Sequence, residues 1–475
     1  MLYCDNHLEG IKLVKKKTWS GVASGVMLLS LLAGCGGNNA AGHTAGGSAA
    51  PGATASGDTK VNLRFYTYGT DDAYNWKNTF AAYEEKNPGV TIELVQLSEN
   101  GDTQESIKKL DLEAASSAQM DILMFSDAAS YAQRVALGMV EPLDDYIARD
   151  GGYKEEEDYK VATRLNGKVY SLPGKFNPWY VLLNKDHLDE AGLAVPTNWT
   201  WDDFREYARK LTKGEGTNKR YGAYFHGPQG GGWMEFLKLK MENQPKNTEF
   251  LKSDGSSNLD DPNFRATLEL RQQMEIVDKS TVPYTEIISK KLAYRPLFFN
   301  QQVSMILIAS WMNNELGGTD KMPLNFHLAV APFPKNNAGD PDGLSPVATD
   351  YVAVAAKSKH KEEAYHFIRW YTTEGQFIQG KNIPAWNGVS SDQVGSMIDK
   401  ILAGTKSPKL VDRKSLVNTI VNSKASGFVP PFSYQSEVYR VINAEYEKLI
   451  LNDQDVDTTV KNAKEAVQKV IDANK

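Results

Sequence analysis

Cysteine is nearly absent. The 475-residue chain has 2, Cys4 and Cys35, which excludes a disulfide framework and a structural zinc site built on thiolates. No excess of positive charge is present: Lys+Arg 53 stand against Asp+Glu 59, a formal net charge of -6. A nucleic-acid surface needs a basic face to neutralise phosphates, so that class of partner is not expected. The 7 histidines are scattered. Only His226 falls near a predicted loop rim, and no H-x-H or H-E-x-x-H spacing occurs, so no metal centre is expected. No Walker A pattern and no other cofactor motif is found. The apolar stretch from Gly21 to Leu32 is too short to span a bilayer as a stable helix.

What is present begins at the N-terminus. Lys12, Lys15, Lys16 and Lys17 form a basic region before that apolar stretch, the pattern of an export signal. It ends in Leu32-Ala33-Gly34-Cys35 rather than in an Ala-x-Ala cleavage pattern. This end resembles a bacterial lipobox, in which the Cys thiol is joined to diacylglycerol and the chain is cut just before it. The resemblance implies a removed leader at 1–34 and a lipidated Cys35, anchored on the extracytoplasmic face of the cell membrane. Two acyl chains hold stably where one is marginal. From Gly36 to about Lys60 the residues are mainly Gly, Ala, Ser, Thr and Asn, with no apolar period to offset ordering entropy. Residues 35–60 therefore read as a lipidated Cys and a flexible tether.

The body starts at Val61-Asn62-Leu63-Arg64-Phe65-Tyr66, whose alternation predicts a strand. Thr70-Asp71-Asp72 offers helix-capping chemistry, and Trp76, Phe80 and Tyr83 recur at helical spacing up to Asn87-Pro88-Gly89. A strand at Val90–Val95, a helix from Thr103 to Ser116 and an apolar run at Ile122–Phe125 follow. Strand alternating with helix predicts a parallel α/β sheet, with ligands beyond the carboxyl ends of its strands. That places Tyr68 to Asp71 and Ser126-Asp127 at one rim.

Further along come Gly167-Lys168-Val169-Tyr170-Ser171-Leu172-Pro173, Tyr180-Val181-Leu182-Leu183-Asn184-Lys185-Asp186 and Pro196-Thr197-Asn198-Trp199-Thr200-Trp201-Asp202-Asp203-Phe204. Val303 to Trp311, Val330-Ala331-Pro332-Phe333-Pro334, Tyr351-Val352-Ala353-Val354 and a helix around Lys361 to Thr373 complete the series. In this collinear order the segments resemble the extracellular solute-binding protein family 1, to which the maltose-binding protein belongs. The resemblance implies a two-lobed α/β fold of the periplasmic-binding-protein type II, three inter-lobe crossings and a ligand cleft at the hinge. Matching segments puts the crossings near Phe176–Tyr180, Leu328–Phe333 and Ile383–Trp386. The first lobe is then 61–176 plus 333–383, and the second 178–328 plus 386–475. The implied function is the substrate-binding lipoprotein of an ABC importer, not an enzyme. It acts as a monomer that hands its ligand to permease subunits served by a separate ATPase.

A sugar is the expected ligand class. Pyranose rings present apolar C–H faces and a belt of hydroxyls, so a site for them needs aromatic platforms and planar hydrogen-bonding side chains. Candidate platforms are Tyr68, Phe176, Trp179, Trp233, Trp311, Trp386 and Tyr434. Candidate hydroxyl clamps are Asp71, Asp127, Asn177 and Asp350. Bland readings compete: Asp127 caps a helix, Asp350 pairs within the fold, and Phe176-Asn177-Pro178-Trp179 is a rigid hinge. Thr200 with Asp203 fits a capping box, which makes Trp199 and Trp201 structural. Rival functions are a secreted glycoside hydrolase, for which no spacing marks a carboxylate pair, and a lipoprotein for a peptide or metal.

Overall fold

A computed structural model of the chain describes residues 60–151, 154–226, 240–244, 250–426 and 432–475. Its strands, in chain order, are β1 (Val61–Thr67), β2 (Val90–Gln96), β3 (Ile122–Phe125), β4 (Leu172–Pro173), β5 (Asn177–Asn184), β6 (Tyr221–Tyr224), β7 (Val303–Ala309), β8 (Leu328–Pro332), β9 (Leu344–Ser345), β10 (Val347–Ala348), β11 (Tyr351–Val354) and β12 (Lys424–Ala425).

Two five-stranded sheets result, one per lobe, together with a two-stranded pairing of β9 with β12. The first has the order β2-β1-β3-β11-β4, parallel among β1, β2 and β3 and antiparallel where β11 joins. In the second, β5 is central. It is antiparallel to β7 on one edge and to β8 and β10 in succession along the other, with β6 parallel to β7. Each sheet is covered on both faces, as the period-2 alternation of side chains requires. Leu63, Phe65, Ile122 and Met124 enter one core, while Tyr66, Leu123 and Phe125 enter the other. In the second lobe Trp179, Val181 and Leu183 face one core, and Tyr180 and Leu182 the opposite one. Those two second-lobe cores also take in the helices Gln435–Ile450 and Val456–Ala473 on one face and Ser391–Ala403 and Arg413–Asn422 on the other.

Two local differences from the sequence-based expectation matter for the site. The expected helix from Thr70 onward is two pieces, Asp71–Tyr74 and Trp76–Lys86, because Asn75 adopts the left-handed conformation with φ 55. Asn tolerates that region where most residues do not. The break turns Tyr74 back under Gly69, whose missing Cβ leaves room: a Cβ there would lie 2.6 Å from the Tyr74 ring. The helix expected to run to Thr373 is α-helical only over Lys361–Trp370. It widens into a π turn at Tyr371–Gly375.

The second crossing lies later than Leu328–Phe333. Strand β8 runs beside β5 from Leu328 to Pro332, so it belongs to the second sheet throughout. Pro332 and Pro334 end the strand because they cannot donate to a ladder, yet the chain does not leave the lobe there. Phe333 joins the second-lobe core, Lys335 N donates to Trp199 O at 2.9 Å, and β9 pairs with β12. The passage to the first sheet comes between β10 and β11, at Thr349-Asp350. The other two passages are Gly174-Lys175-Phe176, between β4 and β5, and the stretch after Ile383. There Phe176 N donates to Ile383 O at 2.8 Å, and Val389 already packs in the second lobe.

Candidate functional site

The strand directions bring one rim of each sheet to the hinge. On the first sheet these are the carboxyl ends of β1 and β3 and the amino end of β11. On the second they are the carboxyl ends of β6 and β7 and the amino end of β5, since Trp179 pairs with Ala309 and Tyr224 with Ile306. Ligand sites of open α/β sheets form at such ends.

The first rim is built on a buried ion pair. Lys175 Nζ lies 3.0 Å from Asp350 Oδ1, with side-chain exposures of 8% and 1%. Tyr68 donates to Asp350 Oδ1 at 2.5 Å and Tyr74 to Asp350 Oδ2 at 2.9 Å, while Lys175 also donates to the Tyr74 hydroxyl at 2.6 Å. Burial pushes both tyrosine hydroxyls well above their ordinary pKa, and the Asp350 carboxylate adds to the effect. Both remain neutral donors at any physiological pH. A lone buried charge would be costly; here each charge has a partner and further hydrogen bonds.

The second rim is aromatic. Trp179 and Trp311 meet edge to face at 5.3 Å, and His226 sits 5.9 Å from Trp179 and 5.0 Å from Tyr294. Polar groups lie among the rings. Ser310 donates to Asn177 Oδ1 at 2.9 Å and Tyr180 to Asn313 Oδ1 at 3.0 Å. Among the described residues the buried Asn177 amide nitrogen has no hydrogen-bond partner.

The structure distributes the sequence candidates unevenly. Tyr68 and Asp350 meet at the first rim, and Asn177, Trp179 and Trp311 at the second. Asp350, a candidate clamp, has both oxygens engaged by Lys175 and the tyrosines. Asp127 caps the helix Ala128–Ala136 by accepting from Ser130 N at 2.8 Å. Asp71 accepts from Lys77 N at 2.9 Å. Phe176 and Trp179, each 3% exposed, belong to the cores of opposite lobes. Trp386 and Trp311 are half-buried, and Trp386 packs against cores of both lobes. Tyr434 lies beside Phe432 at 4.7 Å, on the edge of the second-lobe core. Trp233 lies outside the described residues.

Sequence reasoning passed over Lys175, Tyr74 and Tyr294. Lys175 carried one signal, a single charge between Pro173-Gly174 and an apolar strand. Among the described residues no group of three or more His, Cys, Asp or Glu is arranged to hold a metal. No described helix is long and apolar enough to cross a membrane.

Two lobes joined by three crossings, with strand ends meeting at the hinge, define the class of two-lobed binding proteins. The chain belongs to the bacterial extracellular solute-binding protein family, whose model matches residues 66–376. It is 26% identical over 316 residues to a binding protein of Brucella abortus, covering 66% of this chain and 71% of that one. The same fold occurs in a sugar transporter protein of Rhizobium etli in an open conformation, with TM-score 0.66 and 23% identity over 86% of this chain and 99% of that one. It occurs again in an ABC substrate-binding protein of Listeria monocytogenes in complex with cycloalternan, with TM-score 0.67 and 18% identity over 87% and 98%.

Proposed function

We propose that this protein is the ligand-capturing subunit of a bacterial ABC importer, and that its ligand is a neutral sugar or oligosaccharide. The observation that carries the reading is the second rim. Trp311 emerges half-buried at the end of β7, edge to face with the core residue Trp179, and its ring supplies the apolar face that a pyranose needs. The names of the relatives from Rhizobium etli and Listeria monocytogenes point the same way. The strand pairings support lobes of 61–176 with 349–385, and 177–348 with 389–475. Ligand touching both rims favours the closed arrangement, and closure reports loading to the permease and its separate ATPase. The protein works as a monomer, held to the outer face of the membrane by diacylglycerol on Cys35 after removal of 1–34. Nothing in the reading calls for catalysis, since Asp71, Asp127 and Asp350 are each occupied within the fold.

A thermal-shift screen tests the substrate class. A ligand that binds only the native state, at 100 times its Kd, adds about 2.7 kcal/mol of stability. At least one mono- or oligosaccharide should raise the melting temperature. Silence across the sugars together with a shift for peptides or divalent metals would overturn the class.

A further inference from the structure

His226 follows β6 and is 8% exposed. Its Nε2 lies 2.8 Å from the carbonyl oxygen of Leu307. A carbonyl only accepts, so Nε2 carries the proton, and in the neutral ring Nδ1 holds an open lone pair. No donor among the described residues is paired with Nδ1. The ring is held by aromatic neighbours, with Tyr294 at 5.0 Å, Tyr224 at 5.9 Å and Trp179 at 5.9 Å between centroids. Its position at the joined ends of β6 and β7 puts it beside Trp179, whose ring in turn meets Trp311. The second rim therefore carries a fixed acceptor among its aromatic side chains.

We propose that His226 Nδ1 accepts a hydrogen bond from a hydroxyl of the bound sugar and so determines specificity for ligands carrying a donor at that position. This rests on the sugar-binding reading above. A site built to pair a hydroxyl rejects the analogue lacking it more strongly than an apolar pocket rejects a missing methylene. Burial holds the ring neutral, lowering its pKa to about 4, with Arg295 adding to the effect. The charged group acting on it is Arg295, itself paired bidentately with Glu315 at 2.6 and 2.7 Å, and the nearby titratable hydroxyls are Tyr224 and Tyr294. The acceptor thus persists from about pH 8 to about pH 5 and is lost as pH approaches 4.

The test is calorimetric titration of the full folded chain with glucose, mannose, galactose, xylose and their di- and trisaccharides. His226→Phe keeps a ring and removes the acceptor, and should weaken the tightest of these about tenfold or more, the worth of one buried hydrogen bond. His226→Gln can still donate to Leu307 O and offer an amide oxygen, and should recover part of the loss. In wild type labelled with 15N-histidine, the His226 Nδ1 resonance should move on adding that sugar while Nε2 stays. Wild type that binds one of these sugars with an unmoved Nδ1, or with undiminished affinity in His226→Phe, overturns this proposal alone. Wild type that binds none of them overturns the sugar reading and this proposal with it. If His226→Phe fails to fold, the nitrogen resonances and His226→Gln decide.

Discussion

The Lys175 ammonium lies 3.0 Å from Asp350 Oδ1, and the two residues stand on different passages between the lobes. Lys175 also forms an isolated backbone bridge with Pro384, on the third passage. One side chain and its own backbone thereby tie all three connections together on the first-lobe side. Removing one partner of a buried pair strands the other charge, which typically costs about 3–5 kcal/mol. Lys175→Met and Asp350→Asn should each destabilise by about that amount in urea unfolding. The double variant should lose less than the sum, because the two sites share one interaction. A loss below about 1 kcal/mol in both single variants would show that the pair is not holding the hinge.

How far this was readable from the chain depends on how local each cause is. The alternation of Leu63 and Phe65 against Tyr66 lies within one strand, and its two cores appear as the period demands. Thr200 and Asp203 are three residues apart, and the capping box forms. Asp350 is the opposite case: its partners Tyr68 and Tyr74 are 282 and 276 positions away. No window around Asp350 indicates that its carboxylate is already taken. The second crossing escapes the sequence for the same reason. The pairing of β8 with β5 joins Leu328 to Asn184, and only that long-range register keeps Phe333 in the second lobe.

Trp311 emerges at the end of β7, half-buried between both second-lobe cores. Its ring stands edge-on to Trp179, so one partner is already supplied by the protein. Trp311→Ala should weaken binding of the sugar found by thermal shift at least tenfold, about 1.4 kcal/mol. Circular dichroism of the ligand-free variant separates this from a failure to fold. Unchanged affinity in a folded Trp311→Ala protein would take the residue out of the site.

Two histidines make stability depend on pH. Burial lowers the pKa of both His187 and His226 to about 4, with a positive neighbour helping in each case, Arg220 for His187 and Arg295 for His226. An unfolded histidine titrates near 6.5. Between about pH 6.5 and pH 4 the unfolded chain therefore binds more protons, and stability rises with pH. The contribution is complete above about pH 6.5 and lost as pH falls towards 4. A tenfold difference in proton affinity between the folded and unfolded ring corresponds to about 1.4 kcal/mol. Paired carboxylates such as Glu190 and Asp260, held near pKa 2 by hydrogen bonds to lysine and arginine, act below this window. Urea midpoints should fall from about pH 7.5 to about 5.5 and again to about 4.5. Replacing His187 with Gln should flatten the slope, and equal wild-type midpoints at the three values would contradict the assignment.

The proposed membrane attachment turns on Cys35. A chain joined to a single acyl group binds a bilayer only marginally, while two chains, each methylene adding about 0.8 kcal/mol, hold it there. Only a thiolate at this position makes the thioether under mild conditions, and the remaining cysteine, Cys4, falls in the segment proposed to be removed. Cys35→Ser should therefore abolish palmitate labelling in the producing bacterium and move the protein out of the membrane fraction. The folded body begins at Val61, well beyond the substitution, so its thermal response to sugar should be unchanged. A serine variant that stays in the membrane pellet after a high-salt wash would assign the attachment to another part of the chain. A wild-type protein carrying no palmitate would remove the lipid altogether.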